Sequence, residues 1–319
     1  MATAIVLGSC KSSPSGRSAE NTKNGLKGNI SISGAFALYP LTVAWAEDFK
    51  KSHPNVNIDI SAGGAGKGMA DVLSGMVDLA MFSREVTDEE VAKGAWKLAV
   101  AKDAVFPTIN TQNPALSEVM EKGLKKSDFL RLFTSENQLM WSDLKGYNSK
   151  EKINVYTRSD ACGAAAMWAE YFGKSQEELK GIGVYGDPGI ADAVKKDKYG
   201  IGFNNLIYIY ELKSKKVTAG MAIIPADLNE NRTIDPEENF YFNMDSAVAA
   251  IQDGRYPSPP ARDLYLISKG KPENEVILSF MAYILNEGQK LIAGAGYVDL
   301  TEETLSAQKE KLGIIPMNN

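Results

Sequence analysis

The sequence predicts an α/β protein of two lobes, each a mostly parallel sheet flanked by helices, joined by two hinge crossovers. Three observations predict it. Strand and helix signals alternate along the chain, the pattern of βαβ units. Two proline-bearing extended stretches, residues 103–114 and 256–268, interrupt the alternation and read as an outgoing and a returning crossover. The chain has 319 residues, 44% hydrophobic and 24% charged, enough for two cores of ordinary size. On this reading residues 28–106 and 259–319 form lobe I, residues 107–258 form lobe II, and residues 1–27 stand outside both.

Each element follows from its local pattern. In residues 28–34, Ile30 and Ile32 alternate with serines, as in a half-buried strand. From Tyr39 to Phe49 apolar residues recur at helical spacing, and Lys50, Lys51 and His53-Pro54 close that helix. Residues 56–61 and 78–83 read as strands, with a Gly-rich turn and a helix between them over 63–77. Beyond the first crossover, 127–144 is helical and 152–160 is a strand ending in polar residues. A helix runs from Cys162 to Gly173, a short strand follows, and Asp187-Pro188 cap the next helix before a strand at 199–205. Residues 273–300 read as an amphipathic helix through Val276, Phe280, Tyr283 and Ile284. Trp45, Trp96, Trp141 and Trp168 fall on apolar stretches and are expected in the cores.

Charge and composition exclude some functions. A net charge of −5 gives no basis for binding nucleic acid. No apolar run approaches the roughly 20 residues of a membrane span. The N-terminus carries Leu7-Gly8-Ser9-Cys10 and then a Ser/Lys/Asn/Gly-rich tether. Leu-small-small-Cys resembles a bacterial lipobox, so Cys10 is expected to be lipidated, after an apolar run that lacks the usual basic start. Cys162 is then the one remaining thiol and no disulfide is expected.

Four loops share one design: a strand ends, small or polar residues follow, and a helix often begins. They are 33–40 (SGAFALYP), 63–68 (GGAGKG), 81–85 (MFSRE) and 158–165 (RSDACGAA). Free N–H groups and the dipole at a helix N-terminus favour an anion, and small residues let it approach. The cleft between two α/β lobes is the place for such a site. The candidate anion-binding residues are Phe36, Ala37 and Leu38; Ala65 and Lys67; Ser83 and Arg84; and Arg158, Asp160, Cys162, Gly163 and Ala164. Arg158 either presents a fork to a tetrahedral oxyanion or pairs with Asp160. Asp160 either accepts a proton from the oxyanion, orients Arg158, or caps the following helix.

The order and spacing of these loops resemble the periplasmic phosphate-binding proteins of Pst-type ABC transporters, which are type II solute-binding proteins. The resemblance covers residues 28–300 and includes GIGFNN at 200–205, YPSPPARDLYLISKGKP and LNEGQKLIAGAGYVDL. It implies the type II periplasmic-binding-protein fold, with phosphate in the inter-lobe cleft and a membrane permease as partner. It also implies a periplasmic, non-enzymatic monomer that needs no cofactor. In the family, hydroxyl side chains of three loops bind the oxyanion. Here Phe36 or Ala37, Ala65, Cys162 and Ala164 stand at the matching places, and Arg84 stands near the position of an aspartate that accepts the phosphate proton. Each lost hydroxyl costs roughly 0.5–1.5 kcal/mol; Lys67 and Arg84 are the charges that could offset the loss, and the sequence leaves that balance open. The alternatives are a different oxyanion or small anionic solute, a thiol enzyme using Cys162, and a surface lipoprotein that kept the fold without the ligand.

A separate motif lies at 227–238. Asp227, Asn229, Asn231, Thr233, Asp235 and Glu238 occupy the positions of oxygen ligands in an EF-hand loop, with Arg232 where a glycine is usual. The expectation is a structural Ca²⁺ at a lone loop; a solvated turn is the alternative. The single histidine, His53, reads as a helix end, which excludes a Ser-His-Asp triad.

Overall fold

The computed structural model describes residues 25–314. Among them are nine strands: β1 Lys27–Gly34, β2 Asn55–Ala62, β3 Leu79–Phe82, β4 Ala95–Asn110, β5 Asn154–Arg158, β6 Ile182–Val184, β7 Gly200–Asn205, β8 Met221–Ile223 and β9 Ala261–Lys269. They form one continuous sheet in the order β2-β1-β3-β9-β4-β7-β5-β6, with β8 on β4. The architecture is a two-lobed α/β fold, with the paired strands β4 and β9 running between the lobes.

Each lobe holds a parallel run, β2-β1-β3 in one and β7-β5-β6 in the other. The crossovers are extended as expected, residues 103–110 lying on β4 and 261–268 on β9. The outer half of β4 pairs antiparallel with β9, from Ala95↔Lys269 to Ala104↔Ala261. Its inner half pairs antiparallel with β7 and β8, starting at Val105↔Asn205. Residues 103–105 and 260–262 therefore carry the chain from one lobe to the other while staying hydrogen-bonded.

Three apolar clusters fill the molecule. The first draws on Ile30, Ile32, Leu41, Trp45, Phe49, Leu98, Leu266 and Phe280. The second draws on Phe129, Phe133, Trp141, Trp168, Ile190 and Phe203. The third, around Phe106, Tyr241, Met244 and Tyr256, lies beside the crossing strands. Trp96 is only partly buried.

Two helices are shorter than their apolar spacing predicts. The helix expected over 127–144 ends at Thr134, where the Ser135 hydroxyl accepts the Asn137 N–H and turns the chain. The one expected over 273–300 spans Glu275–Leu285, capped by Asn274. A short turn at Glu287–Leu291 follows, its Gly288 carbonyl accepting the Trp45 indole N–H at 2.8 Å. No helix among the described residues is long and apolar enough to cross a membrane.

Candidate functional site

The four loops meet at the strand ends where the lobes touch. β1 ends at Gly34, whose φ of 131° and whose contact with the Met81 carbonyl leave no room for a Cβ. The Gly34 carbonyl accepts the N–H groups of Gly63 and Gly64 at 2.9 and 3.0 Å, which fixes the second loop on the first. The third loop follows β3 at Ser83. The fourth follows β5 and opens the helix Gly163–Tyr171.

Contacts then cross from lobe to lobe. The Gly66 N–H donates to the Ala161 carbonyl at 3.1 Å. The Tyr208 hydroxyl donates to the Phe36 carbonyl at 3.1 Å. A Cβ on Gly163 would overlap the carbonyl and Oγ of Ser83, and one on Gly64 would lie 2.8 Å from Asp160 Oδ2. Small residues are needed here because backbone meets backbone. Among the described residues, the N–H groups of Phe36, Ala37, Ala65, Gly163 and Ala164 have no hydrogen-bond acceptor. These are the orphan donors of a loop and two helix starts, and they favour an anion.

The charge at the site comes from lobe II. Arg158 is buried, donates from Nε and Nη2 to Asp160 at 2.8 and 2.6 Å, and from Nη1 to Asp187 at 2.6 Å. Its guanidinium also lies 5.6 Å from the Phe36 ring centre. Three of its five N–H groups are thus engaged. Burial raises the Asp187 carboxyl above the usual carboxylate range, and the Arg158 charge opposes that rise. The Arg158 guanidinium itself is held charged by its two carboxylate neighbours, against the effect of burial.

Several expected residues do other work. Lys67 bonds to Asp71 one helical turn on, and that carboxylate also accepts the Ser33 hydroxyl. Arg84 forks onto Glu90 at 3.0 and 2.7 Å and lies over the Phe82 ring. Glu90 is held there by the capping box of the helix Asp88–Ala92. Each cation thus has a carboxylate partner close to it in sequence. Ala37 and Leu38 turn their side chains into the core, so only backbone remains to serve a ligand. Asp160 does not cap the following helix. That cap is Cys162, whose Sγ accepts the Ala165 N–H at 3.4 Å. Asp187 does not cap its helix either: Tyr185 holds the N-cap position and the Asp187 carboxylate faces Arg158. Burial pushes the Cys162 thiol up to about 12.

Sequence reasoning missed Asp187, Asn205, Tyr208, Asp103 and Arg262 as parts of this region. The Asn205 side chain donates to Asp187 and accepts from Arg262. Arg262 donates through Nε to the Ser83 carbonyl at 3.2 Å and pairs with Asp103 at 3.5 Å.

The 227–238 loop lies apart from the cleft and closes on itself. Asp227 accepts the N–H groups of Asn231 and Arg232, while Glu238 accepts those of Leu228, Asn229 and Asp235. Arg232 adopts the left-handed conformation, with φ of 66°, and its guanidinium reaches Asp128. Among the described residues, no three His, Cys, Asp or Glu side chains form a group that could hold a metal ion. Cys10 lies outside the described residues.

Comparison with known proteins agrees with this fold. The chain is 24% identical to the phosphate-binding protein PstS of Staphylococcus haemolyticus over 318 residues, covering 98% of this chain and 94% of that one. PstS of Staphylococcus aureus strain USA300 is also 24% identical, over 97% and 88%. A phosphate ABC transporter substrate-binding protein from Clostridium perfringens, solved with bound phosphate, superposes with a TM-score of 0.69 at 23% identity, over 86% of this chain and 100% of that one. An ABC-type phosphate transport receptor from Vibrio cholerae gives a TM-score of 0.62 at 19% identity, over 85% and 100%. At these identities the structural likeness establishes the fold. The profile of the PBP superfamily domain matches residues 19–287, most of the sequence, and the chain belongs to that superfamily.

Proposed function

We propose that this protein is an extracytoplasmic solute-binding protein that captures inorganic phosphate between its lobes and delivers it to the membrane permease of an ABC transporter. One observation carries the proposal: N–H groups without an acceptor stand on three strand-end loops, one of which carries the buried Arg158, whose guanidinium lies 5.6 Å from the Phe36 ring centre and whose partner Asp160 faces Gly64. Backbone donors and one guanidinium can hold a tetrahedral oxyanion without side-chain hydroxyls. Closure of the lobes then sequesters the ligand. The Staphylococcus relatives are phosphate-binding proteins and the Clostridium structure holds phosphate, which favours phosphate over other oxyanions.

The charge balance points the same way. Asp160 and Asp187 already face Arg158, so a ligand that brings a proton suits this cleft. Hydrogen phosphate can donate that proton to Asp160, whose Oδ2 faces the second loop; sulfate at neutral pH has none to give. A thiol enzyme finds no support, because a buried thiol with a raised pKa is neither charged nor accessible.

Calorimetry with phosphate and sulfate tests the proposal. Phosphate is expected to bind, with sulfate at least about tenfold weaker, a difference of ~1.4 kcal/mol. No heat with either anion at millimolar concentration would overturn the proposal and favour a protein that keeps the fold without the ligand. Attachment through a lipidated Cys10 belongs to the same proposal. Cys10→Ala should move the protein from the membrane fraction to the soluble fraction; continued membrane association would count against the anchor.

A further inference from the structure

The returning strand β9 brings a second buried guanidinium to the cleft floor. Arg262 is 5% exposed and lies where the chain passes between the lobes. Its Nε donates to the carbonyl of Ser83, at the end of the lobe I strand β3. Its Nη2 donates to Asn205 Oδ1, at the end of the lobe II strand β7. The same nitrogen pairs with Asp103 on the outgoing strand β4. From Asn205 the chain of polar contacts continues through Asp187 to Nη1 of Arg158. Asn205, Asp187 and Asp103 are all buried.

We propose that Arg262 is a positioning residue for ligand capture, tying the Ser83 loop of lobe I to the Arg158 network of lobe II. The inference rests on the phosphate reading of the cleft. Arg262 acts through Ser83 and through Asn205 and Asp187, not by touching the ligand. When lobe II swings toward lobe I, Arg262 holds the Ser83 loop and the Arg158 guanidinium in the register that the anion meets.

Two features argue that the residue does more than fill space. Nη1 of Arg262 and both oxygens of Asp103 are buried without a hydrogen bond. Unmet buried polar groups are costly, and buried ion pairs are often replaced by apolar residues without loss of stability. A fold that needed only packing here has cheaper solutions. The geometry also demands a fork. Two different nitrogens of the one side chain donate to Ser83 and Asn205 while its charge faces Asp103, a spread that a planar guanidinium supplies and a single ammonium does not.

The test compares wild type with Arg262→Met and Arg262→Lys. Calorimetry gives the affinity for inorganic phosphate, small-angle scattering gives the compaction phosphate induces, and melting gives ligand-free stability. Both variants should bind phosphate at least about tenfold more weakly and compact less on binding. Arg262→Met leaves Asp103 without its counter-ion and should melt lower, whereas Arg262→Lys keeps the charge and should melt near the wild-type temperature while still binding more weakly. Met and Lys variants that bind like wild type would overturn the assignment. So would affinity that falls and recovers only in step with the ligand-free melting temperature. If Arg262→Met does not fold, Asn205→Ala removes the lobe II acceptor and should show the same loss of affinity and compaction; wild-type binding there would overturn the assignment. If wild-type protein takes up no phosphate, the cleft reading falls and this assignment with it; if only the variants fail to differ, the cleft reading stands.

Discussion

Lobe I brings backbone to the cleft, whereas lobe II brings charge. On the lobe I side, Phe36, Ala37 and Ala65 present N–H groups, and the nearby cations Lys67 and Arg84 are engaged with Asp71 and Glu90. On the lobe II side, Arg158 is buried between two carboxylates, and the helix start at Gly163 adds further N–H groups. The contrast shows that a cation's nearness in sequence to an anion loop does not place it in the site. What places it is the lack of a closer carboxylate, or a buried position where its partners hold it facing the cleft.

The comparison breaks most visibly at Arg158. Arg158→Met leaves Asp160 and Asp187 without their counter-ion, and losing one partner of a buried pair costs about 3–5 kcal/mol. Chemical denaturation should show that loss, and calorimetry should show no phosphate binding. The next effect concerns pH. Asp103 is buried beside Arg262, and burial raises its carboxyl from 3.8 to about 6. Between those values the folded state keeps a proton that the unfolded chain has released. The Asp103 contribution to stability is therefore present below about pH 4, falls as pH rises toward 6, and is gone above it. The rise corresponds to about 3 kcal/mol. Denaturation at pH 4 and pH 7 should show a smaller difference for Asp103→Asn than for wild type.

Gly163→Ala separates the cleft from the fold. A methyl there would overlap the Ser83 carbonyl and Oγ across the lobes, so it acts on the contact between lobes and on neither core. Phosphate affinity should fall by about two orders of magnitude while the far-UV circular dichroism stays that of the wild type. Ala65→Ser sharpens the lobe I side by restoring one hydroxyl, and should tighten phosphate binding by up to about tenfold. The smallest effect belongs to the engaged cations. Lys67→Ala and Arg84→Ala should leave phosphate affinity within about twofold in calorimetry, since each cation is already paired with a nearby carboxylate.

Much of this region was legible in the sequence, because helix starts and Gly-rich turns are local patterns. The strand ends at Gly34, Phe82 and Arg158 follow from alternation and small residues in short windows. Lys67 was open to correction from sequence too, since Asp71 lies four residues on along the same helix. Asp187, Asn205 and Arg262 were not legible. Their contacts span 18 to 179 residues, and only the folded sheet brings them together. Asp187-Pro188 looks like a helix cap from its neighbours alone; only the buried Arg158 reveals its other use. The helix expected over 127–144 overran because apolar spacing persists through Leu139 and Trp141 after Ser135 has already turned the chain.

A crystal structure grown with phosphate tests the central claim most directly. The account predicts a tetrahedral anion within hydrogen-bond distance of Arg158 and of N–H groups from both lobes, among them Phe36 or Ala37, Ala65, and Gly163 or Ala164. Phosphate bound elsewhere, or a cleft whose Arg158 keeps Asp160 and Asp187 as its only partners at saturating phosphate, would contradict it.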